Sequence, residues 1–261
     1  MSAKRILKKL GAKLIKTKTV TFNELTLTGA FEDYGLLKAI GSGHHETFFE
    51  ELFIKHLEPE GDVLDVGAHL GKYSLIAAKY AGNNSRVFSF EPHPRTYKFL
   101  TENIYQNSLE KRIFPFNTAL ADSDGDATLN ADLLQSDFTS MAVSRNEIDI
   151  KRINIRTKTL DSAAPDCLPA TIKVDVEGAE CLVLEGIRRP IQRARERGIK
   201  PNLFIESNSE ALQAFNKTPR DLFDKVRSLG FERIQSIAEE SKSLKPVKLD
   251  NSTGCENWFC Q

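Results

Sequence analysis

From Asp62 onward, short runs of β-branched and aromatic residues alternate with amphipathic stretches, and this rhythm constrains the fold more than any other feature. The runs Val63–Val66, Arg86–Phe90, Ile113–Phe116, Thr171–Val174 and Leu203–Ile205 read as strands, because short apolar runs suit strands buried on both faces. Tyr73–Tyr80, Arg95–Asn107, Ala179–Glu185 and Pro219–Leu229 read as the helices between them. Strands that alternate with helices make a parallel sheet covered on both sides, so the fold expected is a doubly wound α/β sheet. Phe231–Ile237 and Glu256–Cys260 are expected to close its edge as a hairpin.

The rhythm breaks between Asp122 and Asp161. Asp124-Gly125 marks a turn and Ile153–Thr157 alternates as a half-exposed strand does, so a β insertion is expected after the third strand. Its tract Leu133–Met141 mixes apolar and hydroxyl side chains as a pocket wall would, with Phe138 and Met141 as candidate acceptor contacts. A hairpin that only covers the sheet edge is the competing reading.

Ahead of the core, Lys4, Arg5, Lys8, Lys9, Lys13, Lys16 and Lys18 accompany Ile6, Leu7, Leu10 and Leu14 at helical spacing. This basic amphipathic helix either rests peripherally on an anionic membrane or packs its stripe on the domain. The organisation is then a basic helix and lead-in over 1–42, followed by one domain over 43–261 with its insertion at about 122–161. No repeat or low-complexity linker divides it.

Composition narrows the function. Thirty-six basic residues balance thirty-six acidic ones, which gives no electrostatic reason for a nucleic-acid partner. No segment reaches the roughly 20 apolar residues of a membrane span. Cys167, Cys181, Cys255 and Cys260 form neither close pairs nor a dense framework, so no zinc site or disulfide scaffold is expected and a cytoplasmic protein is.

The chemistry begins at Asp65-Val66-Gly67-Ala68-His69-Leu70-Gly71, which leaves an apolar strand and opens a helix where an α/β sheet binds ligands. Gly67 and Gly71 permit a sharp turn and close backbone approach, and the helix start offers free N–H groups. The second run ends in Glu91, placed to accept the ribose hydroxyls of a nucleoside. A nicotinamide dehydrogenase would use the same elements, but the loop lacks the G-x-G-x-x-G spacing that seats a pyrophosphate. S-adenosylmethionine has no pyrophosphate and does without that cradle.

Further motifs follow in order: F-E-P-H-P at 90–94, L-T-E-N-I at 100–104, N-T-A-L-A-D-S-D-G at 117–125, T-K-T-L-D at 157–161, K-V-D-V-E-G-A-E at 173–180 and L-F-I-E at 203–206. With D-V-G-A-H-L-G-K-Y and Glu46 ahead of the core, the chain resembles the FkbM family of S-adenosylmethionine-dependent methyltransferases from about Gly43 to Glu206. His69 departs from it, since such loops commonly carry Asn there. The resemblance implies a class I, Rossmann-like methyltransferase with a mostly parallel seven-stranded sheet. It implies that Asp65, Gly67, His69, Gly71 and Tyr73 surround the methionine part of the cofactor, that Glu91 holds the ribose, and that Asn117 and Ala119 lie beside the adenine or its linkage. Glu46 joins the cofactor site by the same match. Asn103 and Asn107 are expected instead to finish a helix and its turn.

Asp175, Glu177 and Glu180 follow the fourth strand, and Glu206 follows the fifth. Three roles stay open for the first group: contact with the cofactor's ammonium, general base toward an acceptor hydroxyl, or oxygen ligation of a divalent metal. Glu177 and Glu180 also suit a helix's first turn. The site is read without a metal, with Asp175, Glu177 and Glu206 as the catalytic candidates and Asp175 also touching cofactor. His44 and His45 could fold over it as a lid. The function expected is O-methylation of a hydroxyl on a small molecule or glycan, the oxygen being implied by the resemblance. A catalytically inert nucleoside-binding or partner-binding module is the alternative, and cofactor turnover discriminates the two. Acceptor identity and oligomeric state are not legible.

Overall fold

The computed structural model describes residues 17–132, 139–140, 150–249 and 254–261. The segment before Thr17 on which a basic helix is expected, and Phe138 and Met141 of the insertion, lie outside the described residues, while Lys18 of that expected helix lies in a strand.

The chain opens with an antiparallel hairpin, β1 (Thr17–Phe22) and β2 (Leu25–Ala30), turning on Asn23 and Glu24 at φ 47° and 60°. Helices α1 (Tyr34–Gly41) and α2 (Thr47–Lys55) lead to β3 (Asp62–Val66). The βα rhythm continues through α3 (Lys72–Tyr80), β4 (Val87–Phe90), α4 (Pro94–Gln106) and β5 (Ile113–Phe116). The insertion is a separate sheet of β6 (Ala119–Leu120), β7 (Gly125–Asp132), β8 (Thr139–Ser140) and β9 (Ile150–Lys158). After α5 (Leu160–Ala163) come β10 (Pro169–Val174), α6 (Glu180–Gly186), α7 (Arg188–Glu196), β11 (Asn202–Asn208), α8 (Ser209–Ala214) and α9 (Pro219–Ser228). The strands β12 (Ile234–Ala238), β13 (Ser243–Pro246) and β14 (Cys255–Cys260) finish the main sheet.

That sheet has eight strands in the order β13-β12-β14-β11-β10-β3-β4-β5, of which the five from β11 to β5 run parallel. The seven-stranded expectation is therefore corrected to an eight-stranded mixed sheet. The expected edge hairpin is corrected too, because β14 lies inside, antiparallel to both β11 and β12, and β13 forms the edge. Burial explains the order. Trp258, Phe259 and Cys260 are nearly inaccessible and need cover on both sides. The Ser-Leu-Lys-Pro of β13 carries a charge and a residue without an N–H, which suits an edge.

Alternate residues of each buried strand feed opposite cores, as a period of two requires. Leu64, Val66, Phe88, Ile172 and Leu203 face helices α6, α7 and α9 through Val183, Ile191 and Leu222. Val63, Val87, Ile113 and Phe204 face α2, α3 and α4 through Phe53, Leu75 and Leu100. Leu27, Leu37 and Ile40 belong to this second core, so the segment ahead of the sheet is packed onto it.

Asn107 finishes its helix as expected, its amide donating to the Asn103 carbonyl at 2.7 Å, whereas Asn103 lies buried inside the helix, and both also reach β2. Asn103 accepts from the Thr28 N–H and donates to the carbonyls of Thr28 and Leu70, and Asn107 accepts from the Thr26 N–H and donates to the Thr26 carbonyl. Their amides imitate a neighbouring strand and satisfy backbone groups of β2. Helix α2 is capped from outside as well, by the Glu239 carboxylate on the N–H groups of Phe48 and Phe49 at 3.0 and 2.7 Å.

Candidate active site

The carboxyl ends of β3, β4, β10 and β11 converge on a cavity of about 300 Å³. Its entrance loop follows β3. Gly67 sits at φ 80°, and a side chain there would collide with the Asp175 carbonyl oxygen, so only glycine lets β3 and β10 close this tightly. The N–H groups of Gly67 and Ala68 both donate to the Phe90 carbonyl. His69 is left-handed at φ 51°, a region that asparagine and histidine tolerate better than most residues. Gly71, at φ 95°, caps α3.

Glu91 is buried at the tip of β4. Its Oε2 accepts the His69 N–H at 2.9 Å and its Oε1 the His93 N–H at 2.8 Å. An ionised carboxylate has about four acceptor positions, so one on each oxygen remains for two hydroxyls. Burial pushes its pKa up, with Asp65 adding to the effect, while His69 and the two N–H bonds work against it. Asn117 lies behind this group, its amide donating to the carbonyls of Glu91 and Pro92 at 2.9 and 3.1 Å.

Two strands away, three acids meet. Asp175, Glu177 and Glu206 each offer a carboxylate oxygen, all within 4.8 Å of one another, a spacing that could also hold an oxygen-ligated divalent cation. Glu177 is held at φ 55° in the turn ahead of α6, so it is not in the helix's first turn. Glu206 accepts from the Cys255 thiol at 2.9 Å through Oε1, while Oε2 is buried without a partner. Burial, then the neighbouring Asp175 and Glu177, push its pKa up to about 9. Glu180 is a different kind of group: it is fully buried, accepts the Gly178 N–H and does not line the cavity.

The cavity's remaining charges come from residues that sequence reasoning passed over. Lys173, on β10, is 5% exposed and donates to Asp175 Oδ2 at 3.0 Å. Lys72 donates to Glu50 at 2.9 Å and to the His45 carbonyl at 3.1 Å. Their ammonium groups lie 5.1 and 4.7 Å from the Tyr73 ring centre, a cation–π arrangement. The Tyr73 hydroxyl donates to Glu46 Oε2 at 2.8 Å, and Glu46 stands at the N-cap of α2, not within a helix. A lysine between Ile172 and Val174 in an otherwise apolar run was the available signal for Lys173.

Among the residues expected in the site, Glu46, Gly67, His69, Tyr73, Glu91, Ala119, Asp175, Glu177 and Glu206 line the cavity, as does His45. Asp65, Gly71 and Asn117 do not. Asp65 is buried beneath the loop, accepts from the Ser74 hydroxyl through Oδ2 at 2.5 Å and leaves Oδ1 without a partner. The insertion contributes Leu129, which packs with Ala119 and Ile155.

A family model described as the methyltransferase FkbM domain matches residues 65–233. The chain belongs to the FkbM methyltransferase family. Membership brings a class I methyltransferase fold and S-adenosylmethionine as cofactor. The hexuronic acid methyltransferase AglP of Haloferax volcanii is 29% identical over 141 residues, covering 54% of this chain and 56% of its own. A tRNA (guanine(37)-N(1))-methyltransferase of Batrachochytrium dendrobatidis is 32% identical over 111 residues, 38% of this chain and 23% of that protein. The chain thus spans just over half the length of one curated relative and about a quarter of the other. The crystal structure of methyltransferase FkbM from Methylobacillus flagellatus superposes with a TM-score of 0.50 at 16% identity, covering 98% of this chain and 59% of that one.

The residues present fit the cofactor of the FkbM family. Glu91 keeps free acceptor positions for a ribose, and the acids across the cavity suit a ligand carrying a sulfonium and an ammonium. No helix among the described residues is long and apolar enough to cross a membrane.

Proposed function

We propose that this protein O-methylates a hydroxyl of a small molecule or of a glycan unit in the cytoplasm. The observation that carries this reading is the division of the cavity by β3: Glu91 stands on one side, and Asp175, Glu177 and Glu206 gather on the other. When bound, S-adenosylmethionine supplies a methyl group already activated on a sulfonium. The chain's own contribution is placement and proton transfer. Glu91 accepts the ribose hydroxyls, and the loop from Gly67 to Gly71 with Tyr73 and Glu46 encloses the amino-acid end. Asp65 supports that loop from below. Ala119 and Leu129 wall the nucleoside end, behind which Asn117 fixes the backbone.

On the acceptor side, Glu206 with its pKa of about 9 keeps its proton at neutral pH and serves as a donor. Asp175 and Glu177 are then the candidate bases for the acceptor's proton. A glycan unit is favoured among hydroxyl acceptors because a curated relative is named for a hexuronic acid. The insertion selects the acceptor in this reading, since it interrupts the α/β rhythm directly after β5, the strand that leads to the nucleoside end.

Incubation with labelled S-adenosylmethionine and a fractionated cell extract, followed by mass identification of the labelled component, tests the proposal. A hydroxyl-bearing product supports it. Labelling on nitrogen, or cofactor binding with no transfer in any fraction, overturns it. Asp175→Asn keeps the shape and removes the charge, and wild-type turnover by that variant would remove Asp175 from the reaction.

A further inference from the structure

A lysine in the middle of a strand buried on both faces must be compensated, because an unpaired ammonium is among the costliest groups to bury. Lys173 is flanked by Ile172 and Val174, both almost fully inaccessible, and the strand itself gives it no partner. Its hydrogen bond goes to Asp175 Oδ2, two residues further on at the cavity. The Tyr73 ring covers it at 5.1 Å, and Asp65 is its register partner on β3. Burial works against its charge, but Asp175, Asp65 and Glu46 together outweigh burial and hold its pKa above the ordinary lysine value.

Asp175 has the opposite character. Its side chain is 39% exposed, so packing alone restrains its carboxylate less than it restrains a buried group. Its backbone is fixed, with the N–H donating to the Val66 carbonyl at 3.0 Å, and the following turn carries Glu177 at positive φ. The tether from Lys173 supplies the missing restraint. We propose that Lys173 is a positioning residue, whose buried ammonium fixes the Asp175 carboxylate in the orientation that meets the acceptor. This rests on the reading of Asp175 as part of the transfer site. A group held within hydrogen-bond reach of a reacting atom loses much of its effect when displaced by about 1 Å, which can cost about a hundredfold in rate.

The test is a double-mutant cycle on Lys173→Met and Asp175→Asn, using labelled S-adenosylmethionine and the extract fraction that accepts label. Lys173→Met alone is expected to lower kcat by about tenfold to a hundredfold, with a smaller change in KM for the cofactor. Added to Asp175→Asn, it is expected to cost nothing further. A crystal structure of Lys173→Met is expected to show the Asp175 carboxylate moved from its wild-type place. Should the methionine variant melt below the assay temperature, Lys173→Gln enters the same cycle. An equal loss in both backgrounds, an unmoved Asp175, or full turnover by the lysine variant overturns the inference. Wild-type turnover by Asp175→Asn alone overturns the underlying assignment of Asp175 instead, so the two failures are distinct.

Discussion

The thiol of Cys255 donates to Glu206 at 2.9 Å, and the other oxygen of that carboxyl is buried with no donor facing it. The folded chain therefore keeps a proton on Glu206 up to about pH 9, whereas the unfolded chain releases it near the ordinary glutamate value of about 4.5. A raised pKa contributes stability that is fully present below the unfolded value and lost as pH rises through the folded one. Glu206→Gln, which cannot ionise, is expected to melt progressively higher than wild type as pH is raised from 5 to 9. Melting curves that stay parallel across that range would remove the buried, protonated carboxyl from the account.

Glu91 holds two backbone N–H groups besides facing the cavity, so its removal acts twice. Glu91→Ala is expected to weaken binding of S-adenosylmethionine and S-adenosylhomocysteine by about tenfold to a hundredfold, the worth of charge-assisted hydrogen bonds at roughly 1.5–3 kcal/mol. Glu91→Gln keeps the shape and one acceptor oxygen, and is expected to lose less. Calorimetric titration checks both, and undiminished affinity in the alanine variant would sink the ribose assignment.

Gly67→Ala combines a left-handed φ with a collision against the Asp175 carbonyl. It is expected to destabilise the fold by more than about 1 kcal/mol and to abolish detectable cofactor binding, because β3 and β10 must part to admit the methyl group. Urea unfolding and calorimetry report the two effects, and a variant with wild-type midpoint and affinity contradicts the tight approach.

Tyr73→Phe deletes the hydroxyl that bonds Glu46 while leaving the ring beside the two lysines. The hydroxyl also accepts from Lys72 Nζ at 3.4 Å, so a loss of about 1–2 kcal/mol in unfolding free energy is expected, the worth of one strong and one weak hydrogen bond. Burial and Glu46 hold the phenol pKa well above its usual value, so absorbance titration of wild type is expected to show one tyrosine that stays protonated past the others. Five tyrosines titrating together would contradict this.

Much of the sheet was legible because buried parallel strands announce themselves: Val63–Val66 and Thr171–Val174 are runs that few other structures accommodate. What escaped was polar or short. The β1–β2 hairpin alternates in Thr-Val-Thr-Phe and Leu-Thr-Leu-Thr, but its turn uses Asn23 and Glu24 without the glycine that usually marks such a loop. Helix α7 carries four arginines and a proline, and its only fully apolar contacts are Ile191 and Ala194 beside Pro190. The site was legible at its glycines and acids, since turns and strand tips demand those types. Lys72 was not, because lysine is so often solvated that its burial shows only when the opposing carboxylates are in place, and Lys173 left only the weak signal of its apolar flanks. Asp65 is expected beside the cofactor by resemblance, but it is buried beneath the loop and does not line the cavity, an orientation that motif spacing does not record.

The placement of β14 has a consequence for biogenesis. Residues 255–260 enter the sheet between two strands made earlier, so while the ribosome is still adding them both β11 and β12 present open, unpaired edges. One of those edges belongs to the strand that carries Glu206, which means the acceptor side is unfinished until β14 has been synthesised. At about 5–20 residues per second this interval is short, yet it exposes the kind of strand edge to which other nascent chains pair. A chaperone that shields β11 would therefore act before residues 255–260 take their place beside it.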